Sequence, residues 1–278
     1  MILSKQEILL QTKKKIFLNI YGEHTSTFSG NGLDFKELKP YTTNDDIRHI
    51  NWKRLAKQKQ PNVNIFNETK QLNIVLVYLN SGSLYFGNKK SKKDMAVEIL
   101  TSLSFATVQN DDLLTTIFYD QDNIEFFNPT KNKNIVDINY NYAKNLNPLG
   151  KTVDYSKLST YLLEKLKRKS IIFIIGDFLQ ECDFSLLSCK HELYIPVLRD
   201  NEEEDLKLIG EYNLIDTDSL NLYNITINKS NINKYNQAIK EHDQKLFTQF
   251  RKHHIYYKKI YTHEDGIKKL SLLIKDTK

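Results

Sequence analysis

The chain has 278 residues, of which 40% are hydrophobic and 11% aromatic, and this composition excludes a disordered protein. Its formal net charge of +6 comes from 40 basic and 34 acidic side chains spread along the sequence, whereas a nucleic-acid-binding module would need a concentrated basic face. The lysine-rich segments KKSKK (89–93) and KRK (167–169) stand apart and are interpreted as solvated helix faces.

The sequence carries no sign of a membrane span, an export signal or a disulfide framework. No stretch approaches the roughly 20 apolar residues that cross a bilayer, and charges interrupt residues 1–22. Cys182 and Cys189 are expected to be reduced thiols on adjacent turns of one short helix. We therefore expect a cytoplasmic protein, with peripheral association with a membrane complex left open through a partner.

Two regions of different character predict the domain organisation. Residues 1–70 are polar and rich in motifs, and they begin with an amphipathic helix in which Ile8, Leu9 and Ile16 share a face. Residues 71–278 alternate apolar runs with amphipathic segments. We predict an N-terminal signature segment, 1–70, packed on a main domain, 71–278.

The main region predicts a mostly parallel sheet with helices on both faces. Strands are predicted at 72–79, 112–120, 123–128, 170–178, 191–199 and 255–262. Helices are predicted at 91–109, 152–169, 232–253 and 263–275, and a strand and turn at 222–237. Continuous apolar runs that alternate with helices are typical of a doubly wound α/β fold.

Hydroxyls and one carboxylate follow the predicted strands and are expected at one edge of the sheet, called the rim below. Ser81 and Ser83 come after the first strand, Thr152 at a helix start, and Asp177 after the strand at 170–178. In parallel sheets, ligand sites form at the carboxyl ends of strands near a reversal of strand order, and such oxygen ligands suit Mg²⁺. Each residue taken alone could also have a purely structural role. The serines could stabilise a tight turn, and Thr152 and Asp177 could be helix N-caps.

The spacing of these residues resembles the metal-ion-dependent adhesion site of von Willebrand factor A domains. In that site an Asp-x-Ser-x-Ser motif, a Thr and a further Asp hold the ion, and a carboxylate of the partner completes it. Leu79 stands where the resemblance requires the first Asp. Two unit charges about 4 Å apart interact by ~4 kcal/mol at an effective dielectric near 20. The loss of the Asp carboxylate at position 79 therefore predicts a degenerate site without a tightly held ion. We expect no cofactor, with weak Mg²⁺ binding through Ser81, Ser83, Thr152 and Asp177 left open.

The densest motif lies between residues 30 and 70. Its characteristic residues are Asp34, Phe35, Glu37, Tyr41, Asp45, Asp46, Arg48 and Trp52. The run DDIRHINW resembles the Asp-Asp-x-Arg-x-Ile-Asp-Trp signature of the bacterial domain-of-unknown-function family 58, and GSLYFG, IIGDF and VLRDNEEEDL resemble later segments of that family. The chain departs from the family pattern at Lys39, Asn44, Asn51, Leu55 and Lys57. The resemblance covers nearly the whole chain and implies a von Willebrand A-like fold.

Two physical roles are open for this signature. Acidic residues such as Asp45 and Asp46 suit the start of a helix, and Arg48 and Trp52 are four residues apart, which allows a cation–π contact on one helical face. The cluster either clamps the N-terminal segment onto the sheet domain or forms a docking surface. A paired-aspartate nuclease or phosphatase centre would need a second carboxylate cluster, which the sequence does not present at a readable spacing.

The family resemblance implies a non-catalytic adaptor. Proteins similar to this family are often encoded beside MoxR-type AAA+ ATPases, which implies such an ATPase as the partner and a chaperone-like role in assembling or activating other proteins. No nucleic-acid partner is expected. Two alternatives stay open, a Mg²⁺-dependent hydrolase that uses Asp177 and a weak nucleic-acid binder that uses the scattered lysines.

Overall fold

A computed structural model describes residues 6, 8, 32–42, 47, 50–58, 61–69, 71–87 and 89–275, with the side chains of 32–37, 57, 58 and 64–69 excepted. The chain divides into two compact units, His24–Leu72 and the combination of Met1–Glu23 with Asn73–Lys278. Gln6 and Ile8 are helical and Ile8 is buried, in keeping with the predicted amphipathic helix, while Leu9 and Ile16 lie outside the described residues. Whether an N-terminal segment 1–70 packs on the main domain stays a prediction.

The smaller unit consists of a β-hairpin and a short helix. Strand β1 (Gly32–Pro40) pairs antiparallel with β2 (Asn62–Thr69), and helix α1 (Trp52–Gln58) lies between them in the chain. The register runs from Gly32 opposite Thr69 to Pro40 opposite Asn62, with one irregularity between Phe35 and Glu37. The first part of the family signature therefore lies on a strand.

The larger unit contains the remaining elements. The strands are β3 (Asn73–Leu79), β4 (Leu113–Tyr119), β5 (Ile124–Thr130), β6 (Ile171–Ile175), β7 (Glu192–Arg199), β8 (Gly210–Ile215), β9 (Leu222–Ile227) and β10 (Tyr256–Tyr261). The helices are α2 (Lys92–Gln109), α3 (Ile135–Asn145), α4 (Tyr155–Lys165), α5 (Ser185–Lys190), α6 (Asn201–Glu204), α7 (Lys229–Lys252) and α8 (Gly266–Lys275), with a 3₁₀ turn at Gly82–Tyr85. Every predicted strand and helix of the main region has a counterpart. The strand predicted from 222 is β9, but the turn predicted to follow it up to 237 is wrong, because α7 begins at Lys229, three residues before the predicted 232.

The central sheet has six strands in the order β10-β7-β6-β3-β4-β5. All neighbouring pairs are parallel except β4 and β5, which form an antiparallel edge through the predicted short turn. Strand β3 lies at the centre, and its burial on both faces explains its continuous apolar sequence. This arrangement confirms the predicted α/β fold with a mostly parallel sheet, and it places the ends of β3 and β6 side by side.

Helix α2 is enclosed on nearly every side, because strands of the sheet, α3 and α8 all pack against it. It begins at a capping box in which Ser91 and Asp94 satisfy each other's backbone N–H groups. Its first residue, Lys92, is 0% exposed. The interpretation of KKSKK as a solvated helix face is therefore wrong at Lys92.

The two cysteines are free thiols in different surroundings. Cys189 lies on α5 and is exposed, whereas Cys182 precedes that helix and is buried. The expected placement of both on one short helix is wrong for Cys182.

Among the helices that the structure describes, none is long and apolar enough to cross a membrane.

Candidate functional site

Leu79 ends the central strand and points into the core, where it is 1% exposed. Gly176 follows the neighbouring strand β6, and a Cβ atom placed on it would lie 2.7 Å from Leu79 Cδ1. Leu79, where the chain departs from the adhesion-site motif, thus occupies the space that any side chain at position 176 would need.

Ser81 and Ser83 lie next to each other at the rim, with their hydroxyl oxygens 2.8 Å apart. The side chain of Ser83 also helps to lower the pKa of Asp177, so both serines and this carboxylate lie in one cluster. The prediction that the ends of β3 and β6 bring these residues to one edge agrees with this placement.

Thr152 lies on an adjoining loop, but its hydroxyl donates to Gln121 Oε1 rather than to Asp177 or the serines. The helix that follows is capped by Asp154, whose side chain accepts from Lys157 N–H. The loop still reaches the rim through its backbone, because Gly82 N–H donates to Lys151 O at 2.8 Å. Thr152 is therefore near the rim and oriented away from its carboxylate.

The Lys92 ammonium lies at the centre of the cluster, between Asp177 and Glu203. Its Nζ is 3.1 Å from Asp177 Oδ2 and 2.8 and 3.0 Å from the two carboxylate oxygens of Glu203. All three side chains are buried, with exposed fractions of 0%, 5% and 9% for Lys92, Asp177 and Glu203. The Phe86 ring lies 5.8 Å from the ammonium. The rim thus contains a cation that is part of the polypeptide.

The two carboxylates respond differently to this burial. Burial raises the pKa of Asp177, but Lys92, Ser83 and Arg199 outweigh it and hold this pKa below its ordinary value. Burial raises the pKa of Glu203 above its ordinary value, and Lys92 only partly opposes it. Asp177 is consequently ionised at neutral pH, and the ammonium is its main source of stabilisation.

A second cation extends the network from the end of β7. The guanidinium of Arg199, which is 0% exposed, donates to the main-chain oxygen of Asp177, and its Nη2 lies 2.9 Å from Asp243 Oδ1. Lys259 on β10 approaches the same Asp243, with 2.6 Å between Nζ and Oδ2. Burial raises the pKa of Asp243, but Arg199 and Lys259 lower it below its ordinary value overall. The basic side chains of Lys92, Arg199 and Lys259 thus lie beside the buried carboxylates and neutralise their charge.

The loop between β8 and β9 covers the outer side of the rim. Asp218 Oδ1 accepts a hydrogen bond from Ser83 N–H at 3.1 Å, and Thr217 O accepts one from Gly150 N–H at 2.9 Å. A Cβ atom on Gly82 would lie 2.0 Å from Thr217 O, so glycine is required there for the loop to sit against the rim. Burial raises the pKa of Asp218, and Asp177 raises it further while Ser83 N–H opposes the rise.

The family signature is placed only in part. The backbone of Asp34, Phe35 and Glu37 lies on β1, and Tyr41 follows that strand. Trp52 begins α1 with 60% of its surface exposed. Asp45, Asp46 and Arg48 lie outside the described residues, so the cation–π contact and the choice between clamp and docking surface stay predictions.

The sequence interpretation missed Lys92, Glu203 and Arg199. A signal for Lys92 was available, because Ser91-x-x-Asp94 has the spacing of a capping box and places a lysine in the first helical turn, where the helix dipole disfavours it. The adhesion-site motif consists of oxygen ligands for a cation, so the resemblance does not point to a cationic side chain. Within the described part of the chain, no group of three or more His, Cys, Asp or Glu side chains is arranged to hold a metal ion.

Comparisons with known proteins place the chain beside uncharacterized relatives. It is 30% identical over 97 residues to the uncharacterized proteins Rv1480 of Mycobacterium tuberculosis and Mb1516 of Mycobacterium bovis, alignments that span 34% of this chain and 31% of each relative. The chain thus matches about a third of the length of these relatives.

Solved structures show a distant likeness. A conserved hypothetical protein, BatB from Bacteroides thetaiotaomicron, aligns with a TM-score of 0.46 at 10% identity over 74% of this chain and 98% of that one. An aerotolerance-related membrane protein from Bacteroides fragilis gives a TM-score of 0.44 at 10% identity, and the SpRpn10 VWA domain 0.36 at 6%, each over 74% of this chain and over 98% and 93% of the other. Likeness at these levels does not indicate a shared function.

A family model gives a more specific assignment. The model described as "Protein of unknown function DUF58" matches residues 37–245, well over half of the chain. This range includes the rim residues, the Lys92 cluster and the β8–β9 loop. The chain therefore belongs to the DUF58 family.

Proposed function

We propose that this protein is a non-catalytic interaction protein that docks on another protein through the rim and the β8–β9 hairpin. The observation that carries the proposal is a group of large apolar side chains exposed on this hairpin. Leu222, Ile215 and Leu220 are 71%, 60% and 54% exposed. Contiguous apolar surface of this kind marks interaction sites on soluble proteins.

The form of the hairpin supports a docking role. Strands β8 and β9 form a separate two-stranded sheet, in which Leu214 pairs with Tyr223 and Ile215 with Leu222. Cross-strand partners share a face, so each face of the hairpin carries an apolar pair. The tip of the hairpin sits on the rim through Thr217 and Asp218. A partner that covers the hairpin would therefore also meet the rim.

The state of Asp177 supports a role without catalysis. This carboxylate is 4% exposed and paired with Lys92, and the pairing lowers its pKa against the effect of burial. A catalytic base needs access to its substrate and a pKa near the working pH. No observation on the described residues favours hydrolysis or nucleic-acid binding over docking.

The partner that we propose is a MoxR-type AAA+ ATPase, in a chaperone-like assembly or activation of other proteins. Membership of the DUF58 family supports this choice, because proteins similar to the family are often encoded beside such ATPases. The polar residues of the rim and the apolar hairpin together offer the combination of polar and apolar contacts that transient protein interfaces use.

Affinity purification of the tagged protein from its own cells tests this function. We compare the wild type, the double variant Ile215→Ser/Leu222→Ser, and the control Leu186→Ser, which changes a 70% exposed leucine on α5. An AAA+ ATPase should accompany the wild type and the control in Mg²⁺–ATP or in EDTA. Its recovery with the double variant should fall roughly tenfold, the effect of losing ~1.4 kcal/mol of binding free energy.

Two results would contradict the proposal. Absence of any protein partner in both buffers would rule out the adaptor role. Equal recovery of the ATPase with the double variant and the wild type would show that the hairpin is not the docking surface.

A further inference from the structure

We propose that the Lys92 ammonium is an internal cation that takes the place of a divalent ion at the rim, so that the rim carries a fixed positive charge and works without Mg²⁺. This inference deepens the proposed docking function at the same site, but it concerns the isolated protein and does not depend on the identity of the partner.

The hydrogen-bonding capacity of Lys92 is matched to its surroundings. An ammonium group has three N–H donors. Three carboxylate oxygens, one from Asp177 and two from Glu203, lie within 3.1 Å of Nζ. The buried ammonium is thus fully paired, as a charge that is 0% exposed must be.

A divalent ion does not fit beside this group. Mg²⁺ requires oxygen ligands at about 2.0–2.1 Å and near-octahedral geometry. Asp177, the carboxylate that the adhesion-site resemblance assigns to an ion, already pairs with Lys92. The other expected carboxylate is replaced by Leu79, which is packed in the core. An added dication would also be repelled by the ammonium at short range.

The ammonium is held in position by the fold. Lys92 is the first residue of α2, and the Ser91–Asp94 capping box fixes where this helix begins. Glu203 lies on α6, whose N-cap Asp200 accepts from Glu202 N–H. Lys92 and Glu203 therefore both lie on helices with capped N-termini, Asp177 lies just after β6, and the lysine side chain between them is 0% exposed.

Removal of the ammonium should therefore create an ion site. In Lys92→Ser, the space of the lysine side chain is vacated, and the carboxylates of Asp177 and Glu203 remain with the hydroxyls of Ser81 and Ser83. Carboxylate and hydroxyl oxygens suit Mg²⁺ and Mn²⁺. The wild type and Lys92→Ser differ only at residue 92, and we expect only the variant to take up the metal ion.

The test is equilibrium binding of Mn²⁺ to the purified full chain, measured by electron paramagnetic resonance of free Mn²⁺, with thermal unfolding in Mg²⁺ as a second readout. We expect no stoichiometric uptake by the wild type or by Lys89→Ser, a control at a neighbouring exposed lysine. Lys92→Ser should bind one ion, and saturating Mg²⁺ should raise its melting temperature by roughly 5 °C or more. The added substitution Asp177→Asn should abolish both effects.

Each outcome decides the inference. Stoichiometric Mn²⁺ uptake by the wild type would overturn it, as would a folded Lys92→Ser variant that takes up no ion. If Lys92→Ser does not fold, Lys92→Gln provides the same test, because it keeps much of the side-chain volume and supplies an amide oxygen. Loss of the AAA+ partner in purification would contradict the proposed function and leave these metal measurements unaffected.

Discussion

Leu79 occupies the space in which a side chain on residue 176 would lie. A Cβ atom on Gly176 would be 2.7 Å from Leu79 Cδ1 and 3.2 Å from its Cβ. Leu79 therefore fits at the end of the central strand because residue 176 is a glycine. We expect the contributions of these two residues to the free energy of unfolding to be coupled.

Gly176→Ala should destabilise the protein by about 1–3 kcal/mol, because the added methyl group overpacks the site. Leu79→Ala should cost about 2–5 kcal/mol through the cavity it leaves. The double variant should lose clearly less than the sum, since the alanine at 79 makes room for the one at 176. Urea denaturation of the four proteins measures the coupling, and strict additivity would show that the two side chains do not compete for space.

Lys92→Met should remove the main charge partner of Asp177 and Glu203 while keeping the side-chain volume. Breaking a buried ion pair costs about 3–5 kcal/mol, because a charge is left uncompensated. In the wild type the pKa of Asp177 is lowered against the effect of burial, so its ionisation stabilises the fold above its unfolded pKa. Without the ammonium, burial raises the pKa of both carboxylates, and their ionisation then opposes folding.

The stability difference between the wild type and Lys92→Met should therefore be larger at pH 7 than near pH 4–5, where protonation relieves the variant. Chemical denaturation at a series of pH values provides the measurement, with Lys89→Met as the exposed-lysine control. A difference that is constant over this range would show that Lys92 acts through packing alone.

Gly82→Ala should displace the β8–β9 loop from the rim, because its Cβ atom would lie 2.0 Å from Thr217 O. The amides of Ser83 and Gly150 donate to this loop and should exchange with solvent roughly 3- to 10-fold faster once those hydrogen bonds are lost. Asp218→Ala is the matched comparison, since it should release Ser83 N–H and leave Gly150 N–H protected. Hydrogen exchange resolved by NMR distinguishes the two patterns, and unchanged protection in Gly82→Ala would contradict the close approach.

His191 should make stability fall as the pH drops through the mildly acidic range. Its imidazole is buried, Nδ1 accepts from Ser170 N–H, and burial lowers the pKa to about 4. Because the unfolded chain binds this proton near pH 6.5 and the folded chain only near pH 4, unfolding takes up a proton between these values. In His191→Asn, which keeps an acceptor without titrating, the slope of unfolding free energy against pH should decrease by at most about 1.4 kcal/mol per pH unit. An identical slope would mean that His191 does not titrate differently in the two states.

Cys189 should react with a thiol reagent in the native protein while Cys182 does not. Cys189 is exposed, and burial raises the pKa of the Cys182 thiol to about 12, which leaves almost no thiolate at neutral pH. Mass spectrometry after native labelling should find one modified cysteine, and the second only after denaturation. Equal labelling of both before denaturation would contradict the burial of Cys182.

The sequence alone determined the sheet, because the signals for it are local. Continuous apolar runs such as the one in Asn73–Leu79 are typical of strands buried on both faces, and their alternation with helices indicates a parallel sheet. The rule that sites form at the carboxyl ends of strands placed Ser81, Ser83 and Asp177 at one edge, and they lie close together because β3 and β6 are neighbours. Their role as a binding site stays a prediction.

Only the tertiary structure decided what lies among these residues. The capping box at Ser91 and Asp94 can be found in the sequence, but it does not show that Lys92 is buried while Lys89 is exposed. That difference depends on Asp177 and Glu203, which fold around the ammonium from other elements. Glu203 and Asp218 meet the rim from positions more than 100 residues along the chain from Lys92 and Ser83, pairs that local sequence patterns do not encode. A buried charge is tolerated only where its charge partners are also brought into place by folding. Only the folded chain therefore shows that Lys92 is the cation at the rim.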